Sequence, residues 1–144
     1  MRISDVIRHK GRSVVTIRSD ATIKDLVTLL AEHRIGAVVV SDDPEAGAVA
    51  GIVSERDVVR ALPGAGEGFF ATPISRIMTS DVHTCAPEDE IESVAREVTD
   101  RRIRHVPVMI DGRLAGIVSI GDIVKHRIDE LQAERDQLTD YIQR

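Results

Sequence analysis

Gly51-Ile52-Val53-Ser54-Glu55-Arg56-Asp57 returns later in the chain as Gly116-Ile117-Val118-Ser119-Ile120-Gly121-Asp122. In each copy Gly-Ile-Val reads as a strand entered from a turn. Ser-x-x-Asp then reads as the first turn of a helix, with Ser capping and Asp suited to the positive end of the helix dipole. Working outward, Ile23, Arg34, Ile35, Val38 and Val40 return as Ile91, Arg102, Ile103, Val106 and Val108. The register changes between Ser41 and Ala50, where the first copy has the longer loop. The lead-in is duplicated too, since Ile3-Ser4 and Val6 match Ile74-Ser75 and Ile77. Two imperfect copies of one unit predict two related sites.

Periodicity supplies the elements between these landmarks. Ile23, Leu26, Val27 and Leu30 lie on one helical face, as do Ile91, Val94, Ala95 and Val98. Each helix is followed by a β-branched run, 37–40 and 106–110, then by a turn: Asp42 to Gly47 in the first copy and the tight Asp111-Gly112 in the second. The second strand of the hairpin runs through Ile52-Val53 or Ile117-Val118, and a helix starts at Ser54 or Ser119. Short opening strands are expected at 14–17 and 82–85. The fold class is therefore α+β, a β-α-β-β-α unit used twice. Repeat one spans 3–62, a breaker-rich linker 63–73, repeat two 74–128 and a helical extension 129–144. From Asp122 to Arg144 there is no Gly or Pro. Val124, Ile128, Leu131, Leu138 and Ile142 form a heptad-like stripe there, interrupted by Arg135. It reads either as an amphipathic helix packed on its own domain or as one in contact, at least in part, with another subunit.

The 144 residues carry 42% hydrophobic side chains but only two Phe, one Tyr and no Trp, so the core must be aliphatic. A net charge of -5 gives no general attraction to nucleic acid or to an anionic membrane. The Arg101-Arg102-Ile103-Arg104 run lacks the aromatic partners of a nucleic-acid surface. No stretch approaches the ~20 apolar residues that span a bilayer, and the N-terminus lacks a signal-peptide run. Cys85 is the single cysteine, which fits a buried hydrophobe in a reducing cytoplasm. His9, His33, His83 and His126 show no metal-ligand spacing, so no metal is expected. The glycines of Pro63-Gly64-Ala65-Gly66-Glu67-Gly68 are misspaced for a dinucleotide loop and follow a helix. No nucleophile is paired with a base, and the chain reads as non-enzymatic.

The repeated Ser and Asp have two readings. They cap a helix, or they form a site: free N–H groups and a hydroxyl receive an anion while the carboxylate accepts from a vicinal diol such as ribose. A sugar and a phosphate together describe a nucleotide.

The tandem unit ending in Gly-Ile-Val-Ser-x-x-Asp, with Ile77-Met78-Thr79 and Arg102-Ile103-Arg104-His105-Val106-Pro107-Val108, resembles a cystathionine-β-synthase (CBS) domain pair, or Bateman module. The resemblance covers about residues 3 to 128. It implies pseudo-two-fold symmetry, clefts between the repeats and packing into a homodimer. It also implies an adenine nucleotide as regulatory ligand: AMP, ADP, ATP, S-adenosylmethionine or NAD(H). Carried onto this chain, one cleft places Asp57 on ribose with Ser119, Arg104 and His105 near phosphate. The other places Asp122 on ribose with Ser54 and Arg56 near phosphate. Thr16, Ile17, Ile35, Thr84, Cys85 and Ile103 are the candidates around the base. Gly36-Ala37 stands in repeat one where repeat two has Arg104-His105, which favours the Asp57 cleft for a polyphosphate. Arg104 also reads as a solvated surface arginine, and His105 as a core-edge histidine. The competing class is a ligand-independent interaction scaffold in which the heptapeptides are only caps.

Overall fold

The computed structural model describes residues 1–11 and 14–143. The elements are α1 (Ile3–Lys10), β1 (Thr16–Ile17), α2 (Ile23–His33), β2 (Ala37–Val40), β3 (Gly51–Ser54), α3 (Glu55–Ala61), α4 (Ile91–Arg101), β4 (His105–Ile110), β5 (Arg113–Ser119) and α5 (Ile120–Gln143). Three short 3-10 turns at Leu62–Gly64, Phe69–Ala71 and Ile74–Arg76 lie between α3 and α4. The α+β class and the doubled unit are as expected, and α5 is a single helix of 24 residues, about 36 Å long.

The chain divides into two compact units. One comprises Met1–Arg12, Thr84–Ile110 and Gly116–Arg144; the other comprises Ser13–His83 and Asp111–Ala115. The duplicated lead-ins are thus exchanged: α1 belongs with the elements of repeat two, and Ile74–Arg76 with those of repeat one. Hydrogen bonding explains why, because the first amides of a helix need outside acceptors. The Ile91 amide at the start of α4 donates to the Met1 carbonyl, and Ile3 donates to Asp89. In the other unit Ile23 at the start of α2 donates to Thr72, and Ile74 donates to Ala21. The apolar residues follow the same rule. Ile3, Val6 and Ile7 are buried with Ile91, Val94, Val98, Val106 and Val118. Ile74 is buried with Ile23, Leu26, Leu30, Val38 and Val53. The sequence shows the lead-ins as duplicates, and the fold makes a helix of the first and exchanges the two.

In the unit of repeat one, β1 runs parallel to β2, and β2 pairs antiparallel with β3 in a Val38↔Val53 register. Strands β4 and β5 form a separate two-stranded sheet, a hairpin. Its tip is a two-residue Asp111-Gly112 turn in which both residues have positive φ, 51° and 75°, as a type I′ turn requires. The opening strand expected at 82–85 is not formed. A single parallel bridge from Cys85 to Val108 stands in its place. The pairing begins only at Cys85, whose amide and carbonyl engage Pro107 and Met109, and Pro87 ends the extended run in a turn.

Helices α2 and α4 end alike. Arg34 and Arg102 adopt the left-handed conformation, at φ 54° and 55°. Ile35 and Ile103 then return their amides to Leu30 and Val98, the backbone signature of a Schellman cap. Both isoleucines are half-buried against the core of their own unit. On α5, Ile123 and His126 face the core. The heptad-like stripe does not: Val124, Ile128 and Leu131 are 50%, 49% and 47% exposed, and Leu138 and Ile142 more so. That stripe is not the face by which α5 packs on its own unit.

Candidate functional site

Each repeated heptapeptide folds as a strand end followed by a capped helix. Ser54 is the N-cap of α3: its hydroxyl accepts from the Asp57 amide, and the Asp57 carboxylate accepts from the Ser54 amide at 2.8 Å. The Ser54 hydroxyl also donates to Asp57 Oδ2 at 3.1 Å. The second copy repeats the box, with Ser119 N–H 2.9 Å from Asp122 Oδ2 and the Asp122 amide 3.1 Å from Ser119 Oγ. Both carboxylates are half-buried.

The anion-receiving N-terminus expected from the sequence is smaller than it looked. The Glu55 amide at the start of α3 donates to the Gly36 carbonyl at 3.0 Å, and the Ile120 amide at the start of α5 donates to Arg104 at 2.8 Å. With the third amide of each helix on the serine, only the second, Arg56 or Gly121, is left for a ligand. The physical reason is the hairpin. The residue before the first strand of each hairpin runs past the helix start and offers its carbonyl there.

The two motifs differ in charge. Lys10, the last residue of α1, places its ammonium 2.6 Å from Asp122 Oδ2. Burial pushes the Asp122 carboxyl up, but the Lys10 hydrogen bond and the Ser119 amide together hold it below the usual carboxylate range. Among the described residues no cation pairs with Asp57, and its Oδ1 accepts no hydrogen bond.

The remaining predicted residues fall into the two units. With Ser54 and Asp57 lie Thr16 and Ile17 on β1, Ile35 at the α2 cap and an exposed Arg56. With Ser119 and Asp122 lie Ile103 at the α4 cap, an exposed Arg104, a half-buried His105 heading β4, an exposed Thr84 and Cys85. Cys85 is 6% exposed, and burial pushes its thiol up to about 12, so it is a neutral core group at ordinary pH. Lys10 was missed by sequence reasoning. Only the packing of α1 on α5 reveals it. Among the described residues no cluster of three or more His, Cys, Asp or Glu could hold a metal ion.

The model of the CBS domain matches residues 3–64 and again residues 74–129. The chain belongs to the CBS domain family. As a CBS pair it is 37% identical over 147 residues to the mitochondrial CBS domain-containing protein CBSX3 of Arabidopsis thaliana, covering 98% of this chain and 71% of that one. A CBS-domain containing protein from Agrobacterium tumefaciens is 42% identical, with a TM-score of 0.83 over 88% of this chain and 99% of its own. Two similar structures hold ligands. A CBS domain protein from Pyrobaculum aerophilum complexed with AMP is 30% identical, with a TM-score of 0.74 over 85% of this chain and 89% of its own. The CBS domain pair of protein MJ0100, in complex with 5′-methylthioadenosine and S-adenosyl-L-methionine, is 26% identical, with a TM-score of 0.77 over 90% and 98%. No described helix is long and apolar enough to cross a membrane.

Proposed function

We propose that this CBS pair is a non-catalytic, cytoplasmic regulatory module that binds an adenine nucleotide, AMP, ADP, ATP or NAD(H), and signals by a change of conformation or assembly. The observation that carries this reading is the Asp57 carboxylate. It is held rigidly by Ser54 on one oxygen, is unpaired by any cation among the described residues, and keeps Oδ1 open for a ribose hydroxyl. In this reading Ile17 and Ile35, in the same unit as Asp57, line the base. The ligands of the similar structures support the choice of an adenine-bearing molecule. A ligand shifts such a module only by its differential affinity for the two states.

A thermal-shift titration with AMP, ADP, ATP, S-adenosylmethionine and NADH tests the reading, repeated on Asp57→Asn. A saturable rise in Tm for one ligand, absent in the variant, is expected. No shift with any of them would overturn it. The scaffold reading has its own observation, since the capping boxes satisfy Ser54 and Asp57 without any ligand. It predicts that Asp57→Asn changes stability by at most about 1 kcal/mol and alters no ligand response.

The module is further proposed to be a homodimer. The exposed α5 stripe of Val124, Ile128 and Leu131 has the spacing by which a second copy of the same helix packs.

A further inference from the structure

We infer that Lys10 is a latch on the Asp122 motif, making the two nucleotide half-sites unequal. The inference rests on the nucleotide-binding reading above and adds a ranking of its two carboxylates. The Lys10 ammonium and the Ser119 amide converge on the same oxygen of Asp122. A ribose hydroxyl approaching Asp122 finds Oδ1 as open as that of Asp57 among the described residues, but on a carboxylate whose charge the Lys10 ammonium already pairs. Approaching Asp57, it meets a carboxylate held by Ser54 and paired with no cation among the described residues.

The difference is written into the duplicated lead-ins. With Ile3-Ser4 aligned on Ile74-Ser75, the position of Lys10 falls on Asp81. The exchange sends α1 to the unit of Asp122 and residues 74–79 to the unit of Asp57. The second lead-in carries an anion where the first carries the lysine. Both members of the existing pair are partly exposed, Lys10 at 39% and Asp122 at 28%, so the latch is weak enough for a ligand to displace. The Asp57 half-site fills first, and the Asp122 half-site fills only as Lys10 is released.

Calorimetric titration of the full chain with AMP tests this on four proteins: wild type, Asp57→Asn, Lys10→Met/Asp57→Asn and Lys10→Met. Asp57→Asn is expected to remove the tighter event and leave a weaker one. Adding Lys10→Met should tighten that remaining event about fivefold. The unchanged tight event in Lys10→Met alone shows that the fold is intact. An unchanged weak event overturns the latch while leaving nucleotide binding standing. A weakened one also overturns it, because Lys10 then helps to hold the phosphate. Absence of AMP binding by all four proteins overturns both the latch and its use for AMP. A ligand-free readout is the carbon NMR titration of Asp122, which should move up towards the ordinary carboxylate value in Lys10→Met. No movement means that the pair does not form in solution, and the proposal falls.

Discussion

Ile52 and Thr79 exchange two backbone hydrogen bonds of 2.9 Å each, which draws the end of the second lead-in across β3. The crossing passes directly over the motif glycine. A Cβ built on Gly51 would lie 2.7 Å from the Thr79 carbonyl oxygen and 2.9 Å from Met78 Sδ. At Gly116 the nearest atoms to the same added Cβ would be those of the Ile7 side chain, at 3.6 Å. The glycine opening each heptapeptide thus lies under an exchanged lead-in, tightly in one unit and loosely in the other.

Gly51→Ala is expected to cost about 1–3 kcal/mol, since the backbone carbonyl has no rotamer by which to move aside. Gly116→Ala is expected to stay within about 1 kcal/mol, the added methyl making ordinary contact and restricting the unfolded chain. Urea unfolding of both variants checks the asymmetry. Equal costs would contradict it.

Exchange of the lead-ins predicts where damage appears. Ile3 and Ile74 are both fully buried, so Ile3→Ala and Ile74→Ala should each cost about 2–5 kcal/mol. Hydrogen exchange distinguishes their sites. Ile3→Ala should loosen α4 and β4 rather than α2, and Ile74→Ala should loosen α2 and β3 rather than α4.

The thiol of Cys85, pushed up to about 12, is protonated throughout the neutral range. Iodoacetamide at pH 8 should leave it unmodified in the folded protein and alkylate it readily in guanidinium chloride. Rapid native labelling would show that the segment opens.

Acid should unfold the protein through a defined set of carboxylates. Asp5, Asp25, Asp42, Asp122 and Glu130 are all held below their ordinary values. A folded value below the unfolded one means stability fully present above about pH 4 and lost as the pH falls through the folded value. Lys10→Met should flatten that decline, because Asp122 then sits closer to its unfolded value. Thermal melts between pH 3 and 7 on both proteins provide the comparison.

Val124→Glu combined with Ile128→Glu puts two charges on the exposed stripe of α5. Sedimentation should show a dimer for the parent chain and a monomer for the variant, with Tm extrapolated to low concentration little changed, since neither residue supports the unit's core. A monomeric parent chain removes the dimer from the proposal.

Much of the site was legible early because its geometry is local. The Ser54–Asp57 and Ser119–Asp122 boxes span only three residues each, so spacing alone predicts them. The use of their flanking amides was not legible. The Gly36 and Arg104 carbonyls reach those helix starts from the other end of a hairpin. Ile35 and Ile103 show a further difference: repeated as base-pocket candidates, they also complete the helix caps in the structure. Arg34 and Arg102 gave no glycine signal for those caps.

Interactions within a few residues are set by backbone geometry, and these the sequence determined alone: two helices with one apolar face each, a β-branched hairpin in both copies, a tight Asp-Gly turn and two serine caps. Interactions between distant segments depend on which surfaces exclude water together and which orphan amides find acceptors. Those decided the exchange of lead-ins, the reduction of one opening strand to a single bridge at Cys85, and the pairing of Lys10 with Asp122. The repeat therefore announces two equal motifs. Only the folded chain, by bringing a lysine to one carboxylate and none to the other among the described residues, makes them different.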